Sequence, residues 1–156
     1  MDHYTRRIVG LGIQRGVVDG IAVCRMFRQA IRGAGLPKYL SSDHHPLYRF
    51  QQWQANLRIL DISEIKTVPY VPQSHPFIER LIGTVRRECL DQMFFWTATD
   101  LEMKLAAFKD YYNGYRTHSA LGGQTPVETA KPQRVDLESY RWQKHCRGVF
   151  QTPIAA

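Results

Sequence analysis

Cysteine is scarce: Cys24, Cys89 and Cys146 are the only three in 156 residues, widely spaced and without a C-x-x-C pair. An odd, scattered set argues against a disulfide framework and a zinc knuckle, and suits a reducing compartment. No stretch of about 18 uncharged apolar residues occurs, so nothing reads as a membrane span. The opening Met1 to Arg7 is polar and charged and lacks an apolar signal core, so the expected location is cytoplasmic. Acids are also few, 14 Asp and Glu against 21 Lys and Arg, which leaves a net charge of +7 and a pI near 9.5. Such an excess favours a polyanionic partner, nucleic acid foremost, although charge alone fits a solvated basic surface equally well. What the chain does have is 44% hydrophobic residues, enough for one domain with a buried core.

Periodicity supplies the organisation. Residues 7–13, mostly apolar with two glycines, read as a strand inside a sheet. Asp19 caps a helix with Val23, Phe27, Ala30 and Ile31 on one face, ended by Gly33 and Gly35. Pro37 to Ser42 forms a second strand ending at Asp43, and Leu47, Phe50, Trp53 and Leu57 follow at helical spacing. Ile62 to Val68 alternates as a strand, with Ile62, Glu64, Lys66 and Val68 on one side. Pro69 and Pro72 bracket a loop, and Ser74 caps a helix over about 75–91. Thr99-x-x-Glu102 has the form of a capping box, opening a helix with Leu101, Leu105, Phe108 and Tyr112 on one side and Asn113-Gly114 at its end. Strands alternating with helices imply an α/β fold with partly parallel pairing. The segment from Lys131 onward reads as an extended basic tail with room for a short hairpin.

Asp43 falls at the carboxyl end of a strand, where open α/β sheets gather their sites. Glu79 falls in the first turns of the next long helix, with 35 residues between the two. If the intervening helix and strand return the chain to that strand end, both carboxylates can share a hard, oxygen-liganded ion such as Mg²⁺. On the helix, Phe77, Ile78, Leu81, Ile82 and Val85 make the apolar stripe, and Glu79, Gly83, Arg86 and Arg87 lie along the other side. Spacing alone leaves a plainer role open, in which Glu79 is a surface acid paired with Arg86 or Arg87.

Asp43, the 35-residue interval and Tyr70-Val-Pro-Gln-Ser-His-Pro-Phe-Ile-Glu79-Arg resemble the D-35-E signature of retroviral integrases and insertion-sequence transposases. The later run from Tyr112-Asn-Gly-Tyr-Arg-Thr-His118 to Pro126 resembles the segment that closes this domain in insertion-sequence transposases. The resemblance covers roughly residues 2 to 130 and implies a partial integrase catalytic core over 1–130, followed by a basic tail over 131–156. The implied fold is ribonuclease-H-like, a mixed sheet flanked by helices, without its first strand and most of its second. The implied activity is that of a DDE-family DNA recombinase, cutting and joining strands with Mg²⁺ or Mn²⁺. Asp43 and Glu79 would be catalytic metal ligands; Tyr70, His75, Arg86 and Arg87 would contact DNA. The implied partners are transposon ends, target DNA, and further copies of the chain or a full-length transposase.

The family's third acid, an Asp on the first strand, has no counterpart here. Asp2 falls in the turn after the family's second strand and reads as a turn or capping residue. Two carboxylates offset the charge of a metal pair poorly, so reduced or absent activity is expected from these residues alone. Two other readings stay open: a non-catalytic DNA-binding or multimerising piece that modulates a full-length transposase, and a decayed reading frame. The six histidines form no metal-ligand spacing with the cysteines, and His44 and His45 beside Asp43 fit a turn. Arg116 and His118 read as organisers of the turn after the last helix, and Tyr112 as core.

Overall fold

The computed structural model describes residues 1–67, 76–127 and 140–155. The chain divides into two compact units, one spanning Val9–Arg80 and the other made of Met1–Ile8 and Leu81–Ala156.

In the Val9–Arg80 unit, helix α1 (Gly20–Ile31) starts where Asp19 accepts a hydrogen bond from the Ala22 amide at 2.7 Å. It stops at Arg32, whose backbone is extended, and Gly33 follows at φ +77°, a conformation that favours glycine. Strand β1 (Tyr39–Ser42) pairs in parallel with β2 (Ser63–Lys66), in register from Tyr39 opposite Ser63 to Ser42 opposite Lys66. Parallel strands need a long crossover, and here it contains a 3₁₀ turn (Pro46–Arg49) and helix α2 (Gln51–Ile59). Helix α2 begins after Phe50, which is extended and lays its ring where a Cβ on Gly20 would stand; the amphipathic spacing from Leu47 therefore spans two elements. Cys24, Trp53, Leu57 and Ile62 form the buried core, with Phe27 edge-on to Trp53 at 5.1 Å.

Residues 7–13, expected as a strand, pair with no other strand among the described residues. Their glycines serve helix packing instead. A Cβ on Gly12 would lie 2.6 Å from the Met26 Cβ, and one on Gly10 would strike the Ala30 backbone. The sheet of this unit is thus a parallel pair among the described residues, smaller than the mixed sheet expected.

Helix α3 (Pro76–Glu88) has proline at its first position, which has no amide hydrogen to leave unpaired. Its buried residues are Leu81, Thr84 and Val85, whereas Ile82, expected in the apolar stripe, is 51% exposed. The inward face runs through the half-buried 77 and 78 and the buried 81, 84 and 85, so a threonine takes the place assigned to Ile82.

In the other unit, helix α4 (Ala98–Gly114) is capped by Thr97, two residues before the expected Thr99. Its hydroxyl accepts from the Asp100 amide at 3.1 Å, and the Asp100 carboxylate accepts from the Trp96 amide at 3.4 Å. Lys104, 7% exposed, donates to that carboxylate at 2.7 Å and to the Phe94 carbonyl, which fixes the acid at the helix start. Phe108 is fully buried, and Tyr112 and Leu105 line the same face. Asn113 closes a separate polar link: its side chain accepts from the Ile8 amide at 2.8 Å and donates to the Ile8 carbonyl at 3.0 Å. The tail contains a hairpin, β3 (Tyr140–His145) antiparallel to β4 (Phe150–Ala155), with the Phe150 ring stacked on Tyr111 at 4.4 Å. No helix among the described residues is long and apolar enough to cross a membrane.

Candidate active site

Asp43 is the first residue after β1, and it is exposed. One of its carboxylate oxygens accepts from the His45 amide at 2.9 Å, which bends the chain away from the strand. His44 reaches across to the Thr67 carbonyl at 2.6 Å, and the Thr67 amide donates to the Ser42 carbonyl at 3.1 Å. His45 accepts from the Leu47 amide at 3.3 Å through Nδ1. Both histidines therefore shape the turn that presents Asp43, and the ends of β1 and β2 are held side by side.

Beneath that turn lies a polar cluster that the sequence did not announce. Glu64, its side chain 10% exposed, accepts hydrogen bonds from Ser42 at 2.6 Å, Lys66 at 2.7 Å, Gln54 at 2.8 Å and Trp53 at 3.3 Å. Burial pushes this carboxyl up, but the four donors outweigh it and hold the group at about 2. Lys66 also donates to the Ser42 hydroxyl at 2.9 Å and the Asp43 carbonyl at 3.4 Å, and sits 5.4 Å from the Tyr48 ring centre. Burial, with the charges of Asp43 and Glu64 adding to it, raises the Tyr48 phenol above its ordinary range. Glu64 thus ties β1, α2 and β2 together directly behind Asp43. The alternation of β2 did place Glu64 and Lys66 on one face, but nothing local marked that face as covered.

Glu79 is exposed in the first turn of α3, in the same unit as Asp43, and makes no ion pair with any described residue. The ordinary surface pairing with Arg86 or Arg87 is not formed. Those two arginines are exposed on the last turn, and a Cβ on Gly83 would lie 3.1 Å from the Arg87 guanidinium, so the glycine makes room for Arg87 to lie back along the helix. Tyr70 and His75, and with them Pro69, Pro72 and Ser74, lie outside the described residues. Asp2 accepts from the Tyr4 amide at 2.9 Å and the Thr5 hydroxyl at 2.7 Å, one bond to each oxygen, and is a turn residue. The Thr5 bond, ahead of the smaller contributions, lowers its carboxyl below the usual range. Arg116 grips Glu88 through two nitrogens at 2.7 and 2.8 Å and lies over the Tyr112 ring, while His118 closes the following turn with Gln124. Both are structural.

The Integrase core domain family matches residues 60–126, a span that contains Glu79, Arg86 and Arg87. The uncharacterized 31.7 kDa protein of insertion element IS407 from Burkholderia multivorans is 27% identical over 146 residues, covering 89% of this chain and 50% of that protein. The uncharacterized 39.2 kDa protein of insertion element IS476 from Xanthomonas euvesicatoria is 28% identical over 134 residues, covering 86% of this chain and 38% of that protein.

The chain is similar to the integrase cores of insertion-element transposases.

The fold agrees with that similarity. The catalytic core domain of BIV integrase superposes with a TM-score of 0.56 at 20% identity, over 79% of this chain and 76% of that one. A chain of the simian T-cell lymphotropic virus intasome, solved in complex with a PP2A regulatory subunit, gives 0.61 at 17% identity, over 89% and 55%. At these identities the likeness establishes the α/β, ribonuclease-H-like fold and nothing further. The chain spans half or less of the length of the curated relatives it matches.

A divalent ion is the family's general requirement. Asp43 and Glu79 suit one chemically, since both are exposed carboxylates with hard oxygen donors. Among the described residues no group of three or more His, Cys, Asp or Glu side chains is placed to hold a metal.

Proposed function

We propose that this chain carries part of the active site of an insertion-element transposase, with Asp43 and Glu79 as ligands of Mg²⁺ or Mn²⁺. The observation that supports it most is the parallel pairing of β1 and β2, which sends the chain out of β2 at the same end of the strands as Asp43. From there it leads into α3, where Glu79 is exposed and without an ion-pair partner among the described residues. When bound, the ion lowers the pKa of a water or 3′-hydroxyl and stabilises charge on the entering and leaving oxygens of an in-line displacement. Asp43 and Glu79 hold and orient it, and the turn made by His44 and His45 keeps Asp43 aimed away from the strand. Arg86 and Arg87 meet the phosphate backbone from the α3 face, and Tyr70 and His75 contact the DNA end. The partners are transposon ends, target DNA, and further copies of this chain or a full-length transposase.

A second reading, a DNA-binding or multimerising piece with no catalysis of its own, is favoured by Asp2. Both of its oxygens accept hydrogen bonds within its own turn, as suits a turn residue, so Asp2 does not stand as a third acid beside Asp43 and Glu79 among the described residues. The two readings separate in a nicking assay on insertion-element end DNA with Mn²⁺. The chain is compared with a version joined behind the first strands of an insertion-element relative, and with Asp43→Asn and Glu79→Gln in both. Nicking by the joined version that vanishes in either variant supports the transposase site. Nicking that survives both variants, or no nicking by the joined version, contradicts it.

A further inference from the structure

Helix α1 carries no acidic residue, yet it carries Arg25 and Arg28, with Arg32 as its capping residue. At offsets of three and seven these fall on one face, and all three are exposed. Arg28 and Arg32 form a like-charge pair at i, i+4, which weakens a helix unless something anionic meets it. The helix C-terminus welcomes the basic charges of the last turn, but Arg25 lies well before it. Its one described partner is neutral, the Gln14 side-chain oxygen.

These arginines line a trough between α1 and α2. Its larger part, about 550 Å³, also presents the amide side chains of Gln29, Gln52 and Asn56. A second depression shares Arg28 and Asn56 with it, so the trough continues along the seam. No carboxylate lines either part. Three fixed cations over a helix length of about 10 Å, flanked by neutral donors, match a phosphate backbone, which offers one charge per about 3.4 Å of each strand.

We infer that the α1–α2 trough is a second nucleic-acid surface, binding the phosphate backbone of duplex DNA through Arg25, Arg28 and Arg32. The inference rests on the reading of the chain as a DNA-acting core, but needs neither carboxylate nor metal. It contains no base-reading contact, so its binding is independent of sequence. Arginine suits the task because its planar fork takes phosphate oxygens two at a time.

The test is fluorescence anisotropy with a short random-sequence duplex in EDTA, with salt varied between about 50 and 200 mM. The whole chain is compared with an R25Q/R28Q/R32Q variant. Losing three phosphate contacts lowers the slope of log affinity against log salt by about 2.7, at about 0.9 per contact. The triple variant is therefore expected to bind more weakly with that shallower slope and an unchanged circular dichroism spectrum. That pattern holds whether or not the carboxylates ligate a metal, so the two proposals fail separately. An unaltered slope, or no duplex binding by the parent chain, overturns the inference. So does an altered sedimentation coefficient with an unaltered slope, which would make the trough a contact between protein chains.

Discussion

Replacing Glu64 by Gln tests whether the cluster behind Asp43 holds the parallel pair together. The carboxyl sits at about 2 against an ordinary 4.5. At about 1.36 kcal/mol per pH unit, its ionised form contributes about 3 kcal/mol to folding at neutral pH. Its side chain is only 10% exposed, so solvent screening removes little of that. Because the folded value is the lower one, the stabilisation is complete above the unfolded value of about 4.5 and fades as the pH falls through about 2. Roughly 2 kcal/mol of it is gone by pH 3. Glutamine can still accept from Ser42 and Trp53, but it removes the charge facing Lys66 and sets an amide against its donors. Trp53 reports the loss directly. It is 2% exposed, whereas Trp96 and Trp142 are 91% and 64% exposed, so the emission shift on urea unfolding arises chiefly at this site. The variant should fall below the parent by about 3 kcal/mol at pH 7 and by about 1 kcal/mol at pH 3. Equal stabilities at pH 7, or a gap that stays constant between the two pH values, would refute the assignment.

Two further substitutions probe the other unit. Thr97→Ala should destabilise by about 1 kcal/mol in urea unfolding and Thr99→Ala by a few tenths at most, because only Thr97 caps α4; the opposite order would restore Thr99 as the cap. Asn113→Ala leaves the amide and carbonyl of Ile8 without partners, at roughly 1–3 kcal/mol for each group. Hydrogen exchange at the Ile8 amide should accelerate in that variant, and unchanged protection would contradict the pairing.

Much of the α/β order was legible because it rests on local chemistry. Asp19 announced α1 by its side chain, and the alternation from Ile62 announced the strand that became β2. The capping box went astray because Thr97 and Thr99 are each followed three residues later by an acid, and sequence alone does not show that Lys104 and the Trp96 amide fix Asp100. Residues 7–13 have a strand's composition, but a ladder needs a neighbour, and pattern records fitness for a pleat without naming the partner. Asp43 and Glu79 were singled out by spacing and resemblance, and their joint role is the proposal made above. Glu64 was not, because a charged residue on an alternating strand looks solvent-facing until Trp53 and Ser42 close over it from other elements. The asparagine at 113, read as a helix end, is a link to residue 8 for the same reason: its partner is 105 positions away.

Whether Asp43 and Glu79 share one cation is decided most directly by titrating Mn²⁺ into the isotopically labelled chain and following its backbone resonances. Paramagnetic broadening should appear together at residues 42–45 and 77–80, and Asp43→Asn should abolish it at both. Broadening confined to one segment, or persisting at Glu79 after Asp43 is replaced, would mean that the two carboxylates do not form a common site.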